Sequence, residues 1–281
     1  MVLRVYRRPF QLLGILAHWP TDWDRTMNIV VLVKHVPEPH GVPTLGEDFL
    51  VQREGVEGAL DPGDEYAVEA ALKLVEENGG EVALISMGPE GAMAALRRGL
   101  SMGADRGILV TDPALRGADV LVTARVLAAA VRRGDFDLVL AGVESTDGST
   151  GTLPMTVAEL LEIPSATFAR KVEVTDGSLR AERQTEAGYD VVASSLPALA
   201  TVTGSAAEPR YPTLKGIMQS KQKPVEQLSV ADLGLSTDDI APSQRVASVK
   251  AAPEKGRGEV IEAGDDAAAR IADILTDAKV I

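Results

Sequence analysis

Three aspartates and one loop are the places where this sequence could do chemistry. Asp61 and Asp64 bracket the run Asp61-Pro62-Gly63-Asp64, and Asp147 lies in Ala-Gly-Val-Glu-Ser-Thr-Asp-Gly-Ser-Thr-Gly, residues 141–151. Carboxylates in such a set could hold Mg²⁺ or move protons. The plainer alternative is capping, because each stands at or near a predicted helix start, where Asp accepts hydrogen bonds from free backbone N–H groups. Other reactive sets are missing. The chain has no cysteine, which excludes disulfides, thiolate zinc sites, iron–sulfur clusters and thiol catalysis. Its three histidines, His18, His35 and His40, form no metal-binding pattern. No nucleophile elbow or triad signature is present.

The loop itself suits an anion. Gly142, Gly148 and Gly151 allow close backbone approach, and Ser145, Thr146, Ser149, Thr150 and Thr152 supply hydroxyls. A helix start follows it, with unpaired N–H groups that favour a phosphate. It is no P-loop, and no dinucleotide fingerprint follows the first strand. The bland alternative is an ordinary strand–helix loop.

The elements that would position these residues alternate. Residues 28–36, Asn-Ile-Val-Val-Leu-Val-Lys-His-Val, read as a strand buried on both faces. A hairpin excursion is expected over 45–60, a helix over 64–77 ended by Asn78-Gly-Gly, and a strand over 81–87. A helix over 91–98 with Gly99 as its stop, a strand over 107–110, a helix over 119–133 and a strand over 136–140 follow. This pattern predicts a doubly wound, Rossmann-like parallel sheet. In that fold ligands sit beyond the carboxyl ends of the strands, where Lys34-His-Val-Pro, Asp61-Pro-Gly-Asp, Ser86-Met-Gly-Pro and the loop would converge. Residues 167–175, 178–183 and 190–194 read as an antiparallel excursion with Asp176-Gly and Ala187-Gly turns, and 197–203 as a return to a buried strand.

The ends differ from the middle. Residues 1–26 carry four arginines against two aspartates and both tryptophans. Pro9 and Pro20 bracket the apolar run, which is too short to span a membrane, so the segment is expected to be a leader or an upstream start. Residues 27–224 are expected to form the α/β domain. Residues 225–281 hold no aromatic side chain and read as an extended arm, closing with a short helix over 265–276, that packs on another protein. The net charge of −13 argues against nucleic acid as a partner. Against that acidity, Arg210, Lys215, Lys221 and Lys223 form a basic island around Leu214, Ile217 and Met218, which suits either a docking anchor or a solvated loop.

Taken in order, Val31-Leu-Val-Lys-His-Val, Leu100-Ser-Met-Gly-Ala-Asp-Arg, Asp137-Leu-Val-Leu-Ala-Gly, Leu196-Pro-Ala-Leu and above all Glu208-Pro-Arg-Tyr-Pro-Thr-Leu with Gly216-Ile-Met resemble the electron transfer flavoprotein β subunit, over residues 27–235. The resemblance implies a heterodimer whose α subunit holds most of an FAD while this chain binds a structural AMP. By positional match the AMP contacts would be Leu32, Asp61, Pro62, Gly63, Asp64, Met87, and the loop residues Gly142, Ser145, Thr146, Asp147, Gly148, Ser149, Thr150, Gly151 and Thr152. Arg210, Tyr211, Leu214, Lys215, Ile217 and Met218 would dock acyl-CoA-type dehydrogenases, with Leu214 as the apolar anchor. Electrons would pass on to a membrane quinone reductase. The carrier would be cytoplasmic, not inserted in the membrane, and without a reaction of its own. Asp61 and Thr152 depart from the Asn and Gln common in the family, and Gln184 stands after Arg183 where an acid is common. Three alternatives remain open at this stage: a bifurcating form with a second FAD and NADH as donor, an adenylate-handling enzyme needing Mg²⁺ at Asp64 or Asp147, and a nucleotide sensor.

Overall fold

The computed structural model describes residues 26–37, 44–53, 55–250, 258 and 260–281, so the leader expected over 1–26 lies almost wholly outside the described residues. A β-branched run forms the central strand β1 (Met27–Leu32), followed by β2 (His35–Pro37) and β3 (Gly58–Leu60), which pair antiparallel as a small separate ribbon. Helix α1 (Pro62–Asn78) leads to β4 (Gly80–Met87), α2 (Met93–Met102) to β5 (Arg106–Val110), and α3 (Val120–Val131) to β6 (Leu138–Gly142). Helix α4 (Leu153–Leu161) then enters β7 (Ser165–Thr175), β8 (Ser178–Thr185), β9 (Gly188–Ser195) and β10 (Ala198–Val202). Helix α5 (Leu214–Ser220) and strand β11 (Val225–Leu228) follow, and α6 (Ala267–Asp277) closes the chain.

The main sheet runs β11-β5-β4-β1-β6-β10-β7-β8-β9, parallel from β11 to β7 and antiparallel from β7 to β9. One apolar core lies between the sheet and helices α1 and α2; the other lies on the opposite face, under α3 and α4. Strand β1 pairs with β4 on one side and β6 on the other, and the helices leading to those two strands lie on opposite faces. The crevice beyond the carboxyl ends of β1 and β6 is therefore the topological switch point, the place where doubly wound folds bind ligands.

Two sequence expectations change. Gly99 does not stop α2. A Cβ there would stand 2.6 Å from Leu84 Cδ1, so the glycine lets the helix press on the sheet, and the stop is Gly103 at φ +147°. The antiparallel excursion forms as expected. Strand β7 lies beside β10 in the main sheet, and only β8 and β9 fold back antiparallel, turning at Asp176-Gly177 with both φ positive, the geometry such two-residue hairpins favour. The second turn centres on Glu186-Ala187, one residue earlier than expected, with Gly188 opening β9.

The α/β unit also runs past residue 224. Strand β11 extends the sheet edge beside β5, Leu228, Val230 and Ile240 are buried, and Asp119 Oδ2 holds the backbone of Ser243 and Gln244. The first compact unit extends to Arg245. The second, Val246–Ile281, contains α6, on which Ile271 and Ile274 are exposed.

Candidate functional site

The site is built on the first turn of α1. Asp61 caps that helix, its Oδ1 accepting from Gly63 N at 2.8 Å, and Pro62 occupies the first helical position, where its missing N–H costs nothing. The other oxygen, Oδ2, accepts from Thr146 N at 2.7 Å and Thr146 Oγ1 at 2.8 Å. One fully buried carboxylate thus ties α1 to the loop after β6. Asp64, one turn on, accepts from Lys34 N at 2.8 Å and Gly142 N at 3.3 Å, the backbone at the carboxyl ends of β1 and β6. Gly142 is required there, because a Cβ would stand 2.8 Å from Asp64 Oδ1 and 3.0 Å from the Gly63 carbonyl carbon. Burial, reinforced by the Asp61 carboxylate, pushes the Asp64 carboxyl up to about 8 against the pull of its two N–H donors.

Asp147 turns back from the loop. Its Oδ1 accepts from Lys34 Nζ at 2.6 Å and its Oδ2 from Arg53 Nε at 3.0 Å, while Lys34 Nζ also reaches Ser145 Oγ at 3.1 Å. Burial would raise this carboxyl, yet the two cations hold it below the usual carboxylate range. All three carboxylates are committed to protein donors, and among the described residues no acidic or histidine cluster could hold a metal ion. The capping alternative is therefore right for Asp61. Asp64 and Asp147 are interior ties that no capping rule anticipates.

With Asp147 turned inward, the loop presents backbone, and Glu144 is its exposed carboxylate. The N–H groups of Gly148, Thr150, Gly151 and Thr152 make no hydrogen bond to another described residue. Thr152 begins α4 without a side-chain cap, which leaves the helix N-terminus open. Ser149 at φ +44° and Gly151 at φ +60° take left-handed backbone that curls the segment. Leu32 and Met87, at the ends of β1 and β4, lie on the α3–α4 face of the sheet and offer apolar lining. Open N–H groups, hydroxyls, an uncapped helix start and an apolar wall can receive an anionic group beside an apolar one. Arg53 went unnoticed in the sequence, and nothing in its surroundings pointed to Asp147.

The second candidate region is the segment before β11. Tyr211 is 90 % exposed, Leu214 83 % and Met218 72 %, and Ile217 is also exposed. Of the four cations in the basic island, two are spent on the fold. Arg210 turns onto α1, its Nε and Nη2 meeting Glu69 at 2.7 and 3.0 Å and its Nη1 meeting Glu76 at 2.6 Å. Lys223 donates to the carbonyls of Leu100, Gly103 and Ala104 at the end of α2. The acids that engage Arg210 come from a helix more than a hundred residues earlier. Lys215 remains beside the apolar side chains.

The geometry defines a doubly wound α/β domain with an anion-ready loop at its switch point and an exposed apolar patch at one edge. A family model described as "Electron transfer flavoprotein domain" matches residues 48–233. The chain is 37 % identical over 264 residues to the electron transfer flavoprotein subunit beta of Mycobacterium tuberculosis (strain H37Rv), covering 90 % of this chain and 99 % of the relative. It is 34 % identical over 258 residues to that of Bacillus subtilis (strain 168), covering 91 % and 100 %. It is also 37 % identical over 241 residues to the caffeyl-CoA reductase-Etf complex subunit CarD of Acetobacterium woodii, covering 84 % and 92 %. The chain belongs to the electron transfer flavoprotein β-subunit family, a family of electron carriers. Among the described residues, no helix is long and apolar enough to cross a membrane.

Proposed function

We propose that this chain pairs with an electron transfer flavoprotein α subunit to form a cytoplasmic carrier. In this reading the FAD sits mainly in the α subunit, acyl-CoA-type dehydrogenases reduce it, and a quinone reductase takes the electrons onward. FAD supplies the redox chemistry, and this chain binds, positions and docks. An AMP would lie in the β1–β6 crevice as a structural ligand. Gly148, Thr150, Gly151 and Thr152 would offer N–H groups to its phosphate, with the hydroxyls of Ser149 and Thr150 beside them. Leu32 and Met87 would line the nucleoside. Asp61, Asp64 and Asp147 would shape the loop from behind and need not touch the ligand. The observation that carries the proposal is this division: Asp61, Asp64 and Asp147 are bonded inward, and the N–H groups of Gly148, Thr150, Gly151 and Thr152 make no hydrogen bond to another described residue.

Tyr211, Leu214, Lys215, Ile217 and Met218 would form the dehydrogenase-docking face, and a shallow groove lined by Lys215, Met218, Gln219 and Gln222 would take part of the partner. The arm beyond Arg245, with its exposed isoleucines, would pack on the α subunit.

The test is the nucleotide content of the heterodimer. The chain is co-expressed with its α subunit, the purified complex is denatured, and released nucleotides are separated by chromatography. FAD and AMP in equal amounts is the expected result. Twice the FAD with no AMP would replace the AMP reading with the bifurcating form. Adenine nucleotide alone, with no α subunit co-purifying, would overturn the carrier reading.

A further inference from the structure

The apolar side chains at 211, 214 and 218 stand in water when they could fold back on the surface. Two sets of bonds hold their segment in place. On its far side, Arg97 Nη1 donates to the carbonyls of Ser220 at 2.5 Å and Lys223 at 2.8 Å, and Lys223 Nζ donates to the end of α2. Between these, Gly216 lies so close to α2 that a Cβ would stand 2.5 Å from Ser101 O. On the near side, among the described residues, the bonds that reach another element come from Arg210. Its guanidinium grips both oxygens of Glu69 and one of Glu76, and its own backbone N–H donates to Glu69 Oε2 at 3.1 Å. That last bond fixes main chain, not only a side chain, directly before Tyr211.

Glu69 is 2 % exposed, so its charge needs a partner, and any nearby cation could meet that need. The second acid, Glu76, is exposed and needs none. A planar five-donor group spanning two acids about two turns apart on one helix face sets an orientation that a point charge does not. We propose that Arg210 is a positioning residue for dehydrogenase docking: through Glu69 and Glu76 it locks the chain ahead of Tyr211 and Leu214, so the anchor is presented before the partner arrives. Fixing the segment in advance removes its ordering cost from the docking step. The inference rests on the docking reading given above.

The test uses the assembled heterodimer as electron acceptor for a short-chain acyl-CoA dehydrogenase with butyryl-CoA. Arg210→Gln, Arg210→Lys and the neutral double variant Glu69→Gln/Arg210→Gln are compared with Leu214→Ala. The expected result is a KM for the flavoprotein raised about tenfold by Arg210→Gln, the size of one well-placed docking interaction, with kcat and FAD content unchanged. Arg210→Lys should recover part of the loss, and amide exchange over residues 208–214 should speed up in step with KM. If Arg210→Gln fails to assemble, the double variant, which leaves no buried charge unpaired, carries the same expectation. Unchanged KM in the arginine variants with a raised KM for Leu214→Ala would overturn the positioning role and leave the docking reading intact. Unchanged KM in every variant would overturn both.

Discussion

Asp61→Asn isolates the tie between α1 and the nucleotide loop, because it keeps the cap and removes the tie. Asn is as good an N-cap as Asp, so its Oδ1 can still accept from Gly63 N and α1 keeps its start. The other oxygen becomes an amide nitrogen. Thr146 Oγ1 can turn and accept from it, but Thr146 N–H cannot, so a donor then faces a donor across what was 2.7 Å. A hydrogen bond to a charged group contributes about 1.5–3 kcal/mol, and Thr146 is exposed enough for water to recover part of it. The net loss is about 2 kcal/mol. In a domain of this size that lowers Tm by about 4–8 °C. The loss is local, so amide exchange should speed up across residues 142–153 and leave β1 and β4 protected. The loop would then have to be ordered when the nucleotide binds, so AMP retained through gel filtration should fall relative to FAD. Asp61→Ala loses the cap as well and should cost about 1 kcal/mol more. Unchanged exchange over 142–153 together with unchanged AMP content in Asp61→Asn would refute the tie.

Two further outcomes follow from the same interior. Asp64 is pushed up to about 8 in the fold, against 3.8 for an ordinary Asp, so the folded state holds a proton that the unfolded chain releases. Its contribution is complete below the unfolded value and is lost as pH rises through about 8, at about 1.4 kcal/mol per unit. Urea unfolding should therefore show lower stability at pH 9 than at pH 6, and Asp64→Asn, which cannot ionise, should flatten that slope; an equal slope in the variant would place the titration elsewhere. Gly99→Val would drive a branched side chain into the fully buried Leu84 and should cost about 1–3 kcal/mol, read as a lower urea midpoint, with no change in nucleotide content.

Much of this architecture was legible because hydrophobic period and loop chemistry agree. The continuous β-branched run of β1, the Asp-Pro start of α1 and the Gly-rich segment after β6 each signal one state, and a doubly wound sheet follows from their alternation. Three things were hidden, each for a physical reason. Gly99 reads as a helix stop, since the local signal for a C-cap and that for close helix–sheet contact are the same residue. Strand β11 was missed because Val225-Glu-Gln-Leu is a short edge strand with two exposed residues and little apolar run. The partners of Asp64, Asp147 and Arg210 come from 30 to 141 residues away, and pairing at that range leaves no periodic trace. The resemblance assigned AMP contacts to the aspartates and the loop alike, and it could not say that the aspartates face inward. Only the direction of their hydrogen bonds does that.

The two candidate regions share one helix. Asp61 and Asp64 at the start of α1 accept backbone N–H groups from Thr146, Lys34 and Gly142, and Glu69 further along accepts the backbone N–H of Arg210. In each case a buried or nearly buried carboxylate grips main chain that belongs to another segment. Such bonds fix where a loop runs without prescribing its side chains, so the loop's own residues stay free to face a ligand or a partner. At about 1.5 Å of rise per residue, Asp64 and Glu69 are about 7.5 Å apart along the axis. The loop after β6 and the segment before α5 therefore hang from one helix, yet their ties have no side chain in common. The acids of this helix, legible in the sequence only as caps or ligand contacts at its start, are thus the groups against which both candidate regions are aligned.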